Sequence, residues 1–322
     1  VHQTMKAIGL TQFGGPEVLQ VFDLPEPEPG HGEVRIRVHA AAVNPTDLTF
    51  RTGGRADQLA ARTVPYVPGM DVAGVVDKLG PGTGGRLAVG DRVIAYVIPF
   101  GQHGGTYAEQ LVVQQASVVP APAKATFPEA ATLLLNAVTA RLSLNALAIA
   151  PGTTLVVSGA AGAVGGFAVE MAKAEGLTVL AYASGPDQET VRDLGADRVV
   201  PRRQDAVSDI RGALAGGAPA LIDGAALNAQ VLGAVADGGA LVSLKGWTGP
   251  TERGITIHPI SSYSAATDTA LLDRIARQAE NGELTLRVGD LMPASRAAEA
   301  HQRLATGGVR GRLVLDFTNP HW

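Results

Sequence analysis

The sequence predicts a two-domain α/β protein in which a β-rich first part precedes a doubly wound parallel sheet. Three observations lead there. At 322 residues the chain exceeds the roughly 250–300 over which one hydrophobic core keeps growing. From residue 5 to about 123 short strand-like runs alternate with turn residues, and helical periodicity is weak. Beyond Thr126 apolar strands and helices alternate, the order that builds βαβ units.

In the first part, residues 5–10, 18–22 and 34–38 read as strands, the last alternating apolar and basic as a half-exposed strand does. The run 25–30, with proline at alternate positions, is a loop, because proline offers no N–H to a ladder. Residues 72–79, 91–97 and 107–113 supply further strands, joined by glycine-rich turns at 81–85 and 101–105. Residues 1–4 precede Met5 and are set apart from the fold. Thr126-Phe127-Pro128-Glu129 marks a helix start; the helix runs over 130–150, broken near Asn136 and stopped by Pro151-Gly152. A buried strand over 154–158, a helix over 165–175 and a second strand over 178–183 follow. After them come a helix over 187–195, strands at 197–200, 220–223 and 240–244, helices over 270–281 and 297–305, and a closing strand at 313–317.

The first strand enters its helix through Ser158-Gly159-Ala160-Ala161-Gly162-Ala163-Val164-Gly165-Gly166. Ala160-x-Gly162-x-x-Gly165 has the spacing of the Rossmann dinucleotide fingerprint, with alanine where the first glycine stands and a small residue still permits the turn. Gly162 would let backbone N–H groups approach a pyrophosphate, Gly165 would bring the helix close to the strand, and the helix N-terminus would offer unpaired donors. A glycine-rich packing turn is the alternative. The completed βαβ unit of about thirty residues favours the cradle.

Hydrophobic residues make up 46% of the chain, enough for two cores. A formal charge of −4 without a long basic run argues against nucleic acid or anionic membrane as partner. The absence of cysteine removes disulfides, thiolate catalysis and cysteine-ligated metal, and fits a cytoplasmic protein. No unbroken apolar run of about 18 residues and no leader pattern stand out, so neither membrane spanning nor export is expected.

Several motifs together resemble the zinc-independent quinone oxidoreductase branch of the medium-chain dehydrogenase/reductase superfamily over 5–317. They are Met5-Lys6-Ala7 with Phe13-Gly14-Gly15-Pro16-Glu17-Val18-Leu19; Ala41-Ala42-Val43-Asn44-Pro45-Thr46-Asp47 with Arg51-Thr52-Gly53; Pro68-Gly69-Met70-Asp71-Val72-Ala73-Gly74; Gly104-Gly105-Thr106-Tyr107-Ala108-Glu109; and Val309-Arg310-Gly311-Arg312-Leu313-Val314-Leu315. The resemblance implies a GroES-like β-barrel catalytic domain over 5–123 and 264–322, a Rossmann NADP-binding domain over 124–263, an active site in the cleft and a homodimer. Zinc-dependent relatives hold their metal at positions that correspond to Asn44, Met70 and Leu135, none of them a good zinc ligand, so no metal site is expected.

NADPH is the expected cofactor, because the second strand ends in Tyr182-Ala183-Ser184-Gly185 with no acid to repel a 2′-phosphate. Ser184 can donate a hydrogen bond to that phosphate and Arg202 or Arg203 can pair with it, unless the two arginines are a solvated surface pair. The turn residues Ser158 to Val164 complete the cofactor set, and by resemblance Thr139, Ser243 and Gly246 line the nicotinamide pocket. The same resemblance places Asn44 close to nicotinamide and substrate and makes it the expected catalytic residue, although asparagine also suits the turn before Pro45. Thr49, Tyr66 and Tyr107 are the candidates for the substrate pocket, with packing as the competing role of the tyrosines. Without a metal the acceptor must already be electrophilic, hence a quinone or an α,β-unsaturated carbonyl. An enoyl-thioester reductase and an NADPH-binding protein without turnover are the alternatives.

Overall fold

The computed structural model describes residues 3–320 and 322. The chain lays down β1 (Thr4–Gly9), β2 (Gln20–Pro25), β3 (Glu33–Ala42), α1 (Pro45–Arg51), α2 (Ala56–Leu59), β4 (Asp71–Leu79), β5 (Arg92–Tyr96), β6 (Gln110–Gln114), β7 (Val118–Pro120) and α3 (Phe127–Ala131). It continues through α4 (Leu134–Leu147), β8 (Thr154–Ser158), α5 (Ala163–Ala174), β9 (Thr178–Ala183), α6 (Gln188–Asp193), β10 (Arg198–Pro201), α7 (Ala206–Ala213), β11 (Ala218–Asp223), α8 (Ala229–Leu232), β12 (Val235–Ser243) and β13 (Thr256–Pro259). It ends with α9 (Thr269–Glu280), β14 (Val288–Pro293), α10 (Ala297–Thr306) and β15 (Arg312–Asp316).

Two compact units result. One holds the chain up to Leu135 with Tyr263–Glu280 and Leu286–Trp322; the other holds Asn136–Ser262 and Asn281–Thr285. The first division therefore falls later than the expected 123/124. Its cause is α3, which opens with a capping box between Thr126 and Glu129 and stays on the first unit's sheet. The Phe127 ring lies 4.1 Å from His39, and the Arg92 guanidinium sits over it at 4.5 Å. The long helix breaks at Thr132-Leu133 rather than near Asn136, where the Thr132 hydroxyl donates to Glu129 O at 2.7 Å and competes with the ladder. By length and composition Phe127–Leu147 could cross a membrane, but 72% of its most apolar window is buried in the fold, as in a core helix.

In the first unit β3 is the hub, pairing antiparallel with β4, β6 and β15; β14 joins β15, and β5 and β7 follow β4. Alternate β3 residues Val34, Ile36 and Val38 are buried, as the alternation predicts, against Val72, Val76, Leu111 and Leu313. Thr4 pairs with Pro25, so the fold begins before Met5, whereas Val1 and His2 lie outside the described residues. The short helices α1 and α2 escape a periodicity reading because neither completes enough turns to show a face.

The second unit carries a six-stranded, all-parallel sheet in the order β10-β9-β8-β11-β12-β13. This is the doubly wound Rossmann order, with the β8 end beside the reversal. β13 falls between the strand at 240–244 and the helix over 270–281, where four residues ending in proline carry little strand signal.

Candidate functional site

The glycine turn after β8 is shaped by contacts that exclude side chains. Gly159, at φ +60°, takes the left-handed turn, and a Cβ there would lie 2.8 Å from Ala225 N and from Gly224 C. The tight-turn role thus belongs to Gly159 and corrects the assignment of Ala160, which is simply buried. A Cβ on Gly165 would lie 2.2 Å from Gly159 O, so this glycine sets the closeness of α5 to the turn, as expected. Gly162 caps α5, donating its N–H to Gly159 O at 2.9 Å and accepting from Gly166 N at 2.8 Å. The N–H groups of Ala163, Val164 and Gly165 then have no acceptor within the helix, which leaves donors and a positive dipole end for a pyrophosphate. Ala161 is buried, whereas Gly162, Ala163 and Val164 are half-buried. The cradle fits a dinucleotide.

Asp223, at the end of β11, braces this turn. Its carboxylate accepts from Ser158 Oγ at 2.7 Å, Leu227 N at 3.0 Å and Asn228 N at 2.7 Å. The Ser158 hydroxyl also accepts from Ala225 N at 3.2 Å, so it joins two strand ends rather than reaching for a cofactor. Nothing in the local sequence pairs Ser158 with Asp223, which lies three strands on in the chain and becomes its neighbour only in the sheet.

At the end of β9 the expectation is overturned in one respect. The Ser184 hydroxyl donates to Asp187 Oδ2 at 2.6 Å, so it has no proton to give a phosphate, and an acid stands close by after all. Arg202 and Arg203 are exposed. Arg202 extends the β9–β10 ladder, its N–H donating to Ala183 O at 3.0 Å, and this sets it beside Ser184. Asp209 holds the loop that carries both arginines, accepting from Arg203 N at 2.9 Å, Gln204 N at 3.1 Å and Tyr182 Oη at 3.0 Å. Thr139 is half-buried on α4 and its carbonyl accepts from Ser143. The buried Ser243 hydroxyl fastens the following loop by donating to Trp247 O at 2.5 Å, while Gly246, at φ +73°, has open space where a Cβ would stand.

In the first unit Asn44 is fully buried at the N-cap of α1. Its Nδ2 donates to Asp71 Oδ2 at 2.9 Å and its backbone N–H to Asp47 Oδ2 at 2.8 Å. Leu135 N donates to Asp71 Oδ1 at 3.0 Å, so Asp71 gathers positions 44 and 135 beside Met70. An amide, a thioether and a hydrocarbon do not fit zinc. Burial pushes Asp71 up to about 6 against its bonds from Leu135 and Asn44, and pushes Asp47 up to about 7. Arg312, pulled down to about 10 by burial, keeps its charge near both carboxyls.

Tyr107 leaves the substrate-pocket set. It is wholly buried, and its hydroxyl donates to Asp47 at 3.2 Å and meets His301 Nε2 at 3.0 Å. Burial and the Arg51 charge hold His301 down at about 3, so it stays neutral. Asp47 and Arg312 stand in the quoted motifs without an assigned role and His301 stands outside them, because the contacts that join Asp47 and His301 run through Tyr107 on a distant part of the chain. Tyr66 is half-buried, stacked on Phe13 at 5.8 Å; Thr49 is exposed and donates back to Pro45 O at 3.3 Å.

A GroES-like domain with an inserted Rossmann sheet defines a two-domain, nicotinamide-dependent oxidoreductase. Residues 30–123 match the alcohol dehydrogenase GroES-like domain and residues 194–315 the zinc-binding dehydrogenase family. The quinone oxidoreductase of Sus scrofa is 30% identical over 98% of both chains. Among solved structures, an NAD-dependent alcohol dehydrogenase is 33% identical with a TM-score of 0.84, covering 97% of this chain and 99% of its own. A mycobacterial protein complexed with NADPH is 29% identical with a TM-score of 0.83, covering 97% and 100%. The chain belongs to the quinone oxidoreductase branch of the medium-chain dehydrogenase/reductase superfamily.

Proposed function

We propose that the enzyme reduces quinones or α,β-unsaturated carbonyl compounds with NADPH and without a metal. The observation that supports this is the gathering of Asn44, Met70 and Leu135 around Asp71, where an amide, a thioether and a hydrocarbon replace metal donors. A saturated ketone needs a Lewis acid or a proton donor for its developing alkoxide, whereas a quinone or an enone disperses that charge itself. The dinucleotide, when bound, supplies the hydride. Gly159, Gly162 and the start of α5 hold its pyrophosphate, and Arg202 or Arg203 meets the 2′-phosphate. Asn44, its carboxamide oriented by Asp71, positions the acceptor and moves no proton, since a neutral amide has no useful pKa. The same reading makes the enzyme a cytoplasmic homodimer acting on small molecules, with no nucleic-acid or membrane partner.

The test follows NADPH absorbance with benzoquinone, a naphthoquinone, a conjugated enone, an enoyl thioester and saturated ketones, alongside metal analysis. Conjugated acceptors should turn over and the saturated ones should not, with activity intact after chelation. Turnover confined to saturated ketones, or stoichiometric zinc whose removal abolishes activity, would overturn the proposal. Faster reduction of the thioester than of any quinone would move it to an enoyl reductase.

A further inference from the structure

Asp187 stands just past β9 at the N-cap position of α6, where an aspartate usually accepts a bond from the first helical turn. It makes no such cap bond. Its carboxylate turns back and accepts the Ser184 hydroxyl proton at 2.6 Å, its own N–H donates to Ser184 O at 3.0 Å, and the residue is only 8% exposed. Arg202, one residue past Pro201 in its register with Ala183, donates its N–H to Ala183 O at 3.0 Å and so stands alongside the same serine.

In a doubly wound sheet the end of the second strand meets the ribose of the adenosine, where an acid holds a 2′-hydroxyl and an arginine accommodates a 2′-phosphate. Both kinds of group are present here. A hydroxyl has one proton and two lone pairs; with its proton on Asp187, Ser184 Oγ faces a ligand as an acceptor. A ribose 2′-hydroxyl can donate to it. A 2′-phosphate, acceptor-only and carrying about −1.5 to −2 charges, cannot, and the Asp187 carboxylate repels it.

We infer that the Ser184–Asp187 pair discriminates at the 2′ position in favour of a hydroxyl and against the pull of Arg202, so that the protein takes both NADH and NADPH with a narrow preference. The inference rests on the dinucleotide reading above and makes Asp187 a specificity-determining residue.

Calorimetric titration of the full chain with ADP and with 2′,5′-ADP, backed by titration with NADH and NADPH, tests this without turnover. The wild type should bind both fragments with affinities within about tenfold of each other, near balance between one charged contact on each side. Asp187→Asn should tighten 2′,5′-ADP by about tenfold and leave ADP within about twofold. Ser184→Ala should weaken ADP and spare 2′,5′-ADP, with thermal melts confirming that both variants fold. A wild-type ratio beyond about tenfold either way, or a ratio unmoved by Asp187→Asn, overturns the inference while the cofactor reading stands. Failure of the wild type to bind either fragment or either dinucleotide overturns both.

Discussion

The cluster around Asn44 and the cradle around Gly159 both order polar groups in apolar surroundings, but the first does so with side chains and the second with backbone. In the cluster, Asp47 and Asp71 are buried, and each is pushed up toward neutrality. In the cradle the ligand-facing donors are amides whose placement depends on glycines that leave no room for a Cβ. A site made of backbone is broken by volume, whereas one made of buried carboxyls is tuned by protonation.

The largest effect should come from volume. Gly165→Val puts a Cβ where Gly159 O lies 2.2 Å away, and the backbone of Gly159 and Ala160 that it meets cannot swing aside as a side chain would. Dinucleotide binding should disappear by calorimetry, and Tm should fall by roughly 5–10 °C, the effect of overpacking in a domain this size. Retention of wild-type affinity would mean that the cradle is not where the pyrophosphate binds.

The side-chain cluster should yield more gently. Asn44→Ala removes an oriented amide and leaves the cradle intact, so kcat with a quinone should drop about ten- to a few hundredfold. The dissociation constant for NADPH should hardly move. Equal loss in kcat and in cofactor affinity would erase the distinction between the two sites.

Arg202→Ala probes a place where cofactor binding depends on a side chain rather than on the backbone of the turn. Removing a charge-assisted phosphate contact should weaken NADPH by about ten- to a hundredfold and leave NADH nearly unchanged. If neither this variant nor Arg203→Ala shifts the ratio of the two, the phosphate contact lies elsewhere.

The smallest effect is the protonation of the cluster. Asp47 has its pKa raised from 3.8 to about 7, so the folded state holds the proton more tightly than the unfolded one. Its stabilising contribution is complete below the ordinary carboxylate range and is lost as pH rises through about 7. Asp47→Asn stays neutral throughout, so its Tm relative to wild type should climb by roughly 3–6 °C between pH 5 and pH 8. His301, held down at about 3, works the other way at low pH but is common to both proteins. A gap that does not change with pH would show that Asp47 is ionised in the fold from the start.

Sequence by itself determined the class of this protein and every strand of its parallel sheet but β13, because strand alternation, the glycine turn and the capping box at Thr126 are local patterns that act through neighbouring residues. It also located Gly165, whose role depends on spacing along the chain. Tertiary structure decided which glycine makes the turn, because the atoms that would strike a Cβ on Gly159 belong to Ala225 and Gly224 after another strand. It moved Tyr107 from the substrate pocket to a buried contact with Asp47 and His301, and took the Ser158 hydroxyl to Asp223. At β9 it turned Asp187 away from its helix and onto Ser184. A polar side chain carries the same donors and acceptors wherever it stands, and only the packed fold settles which partner is within about 3 Å of it.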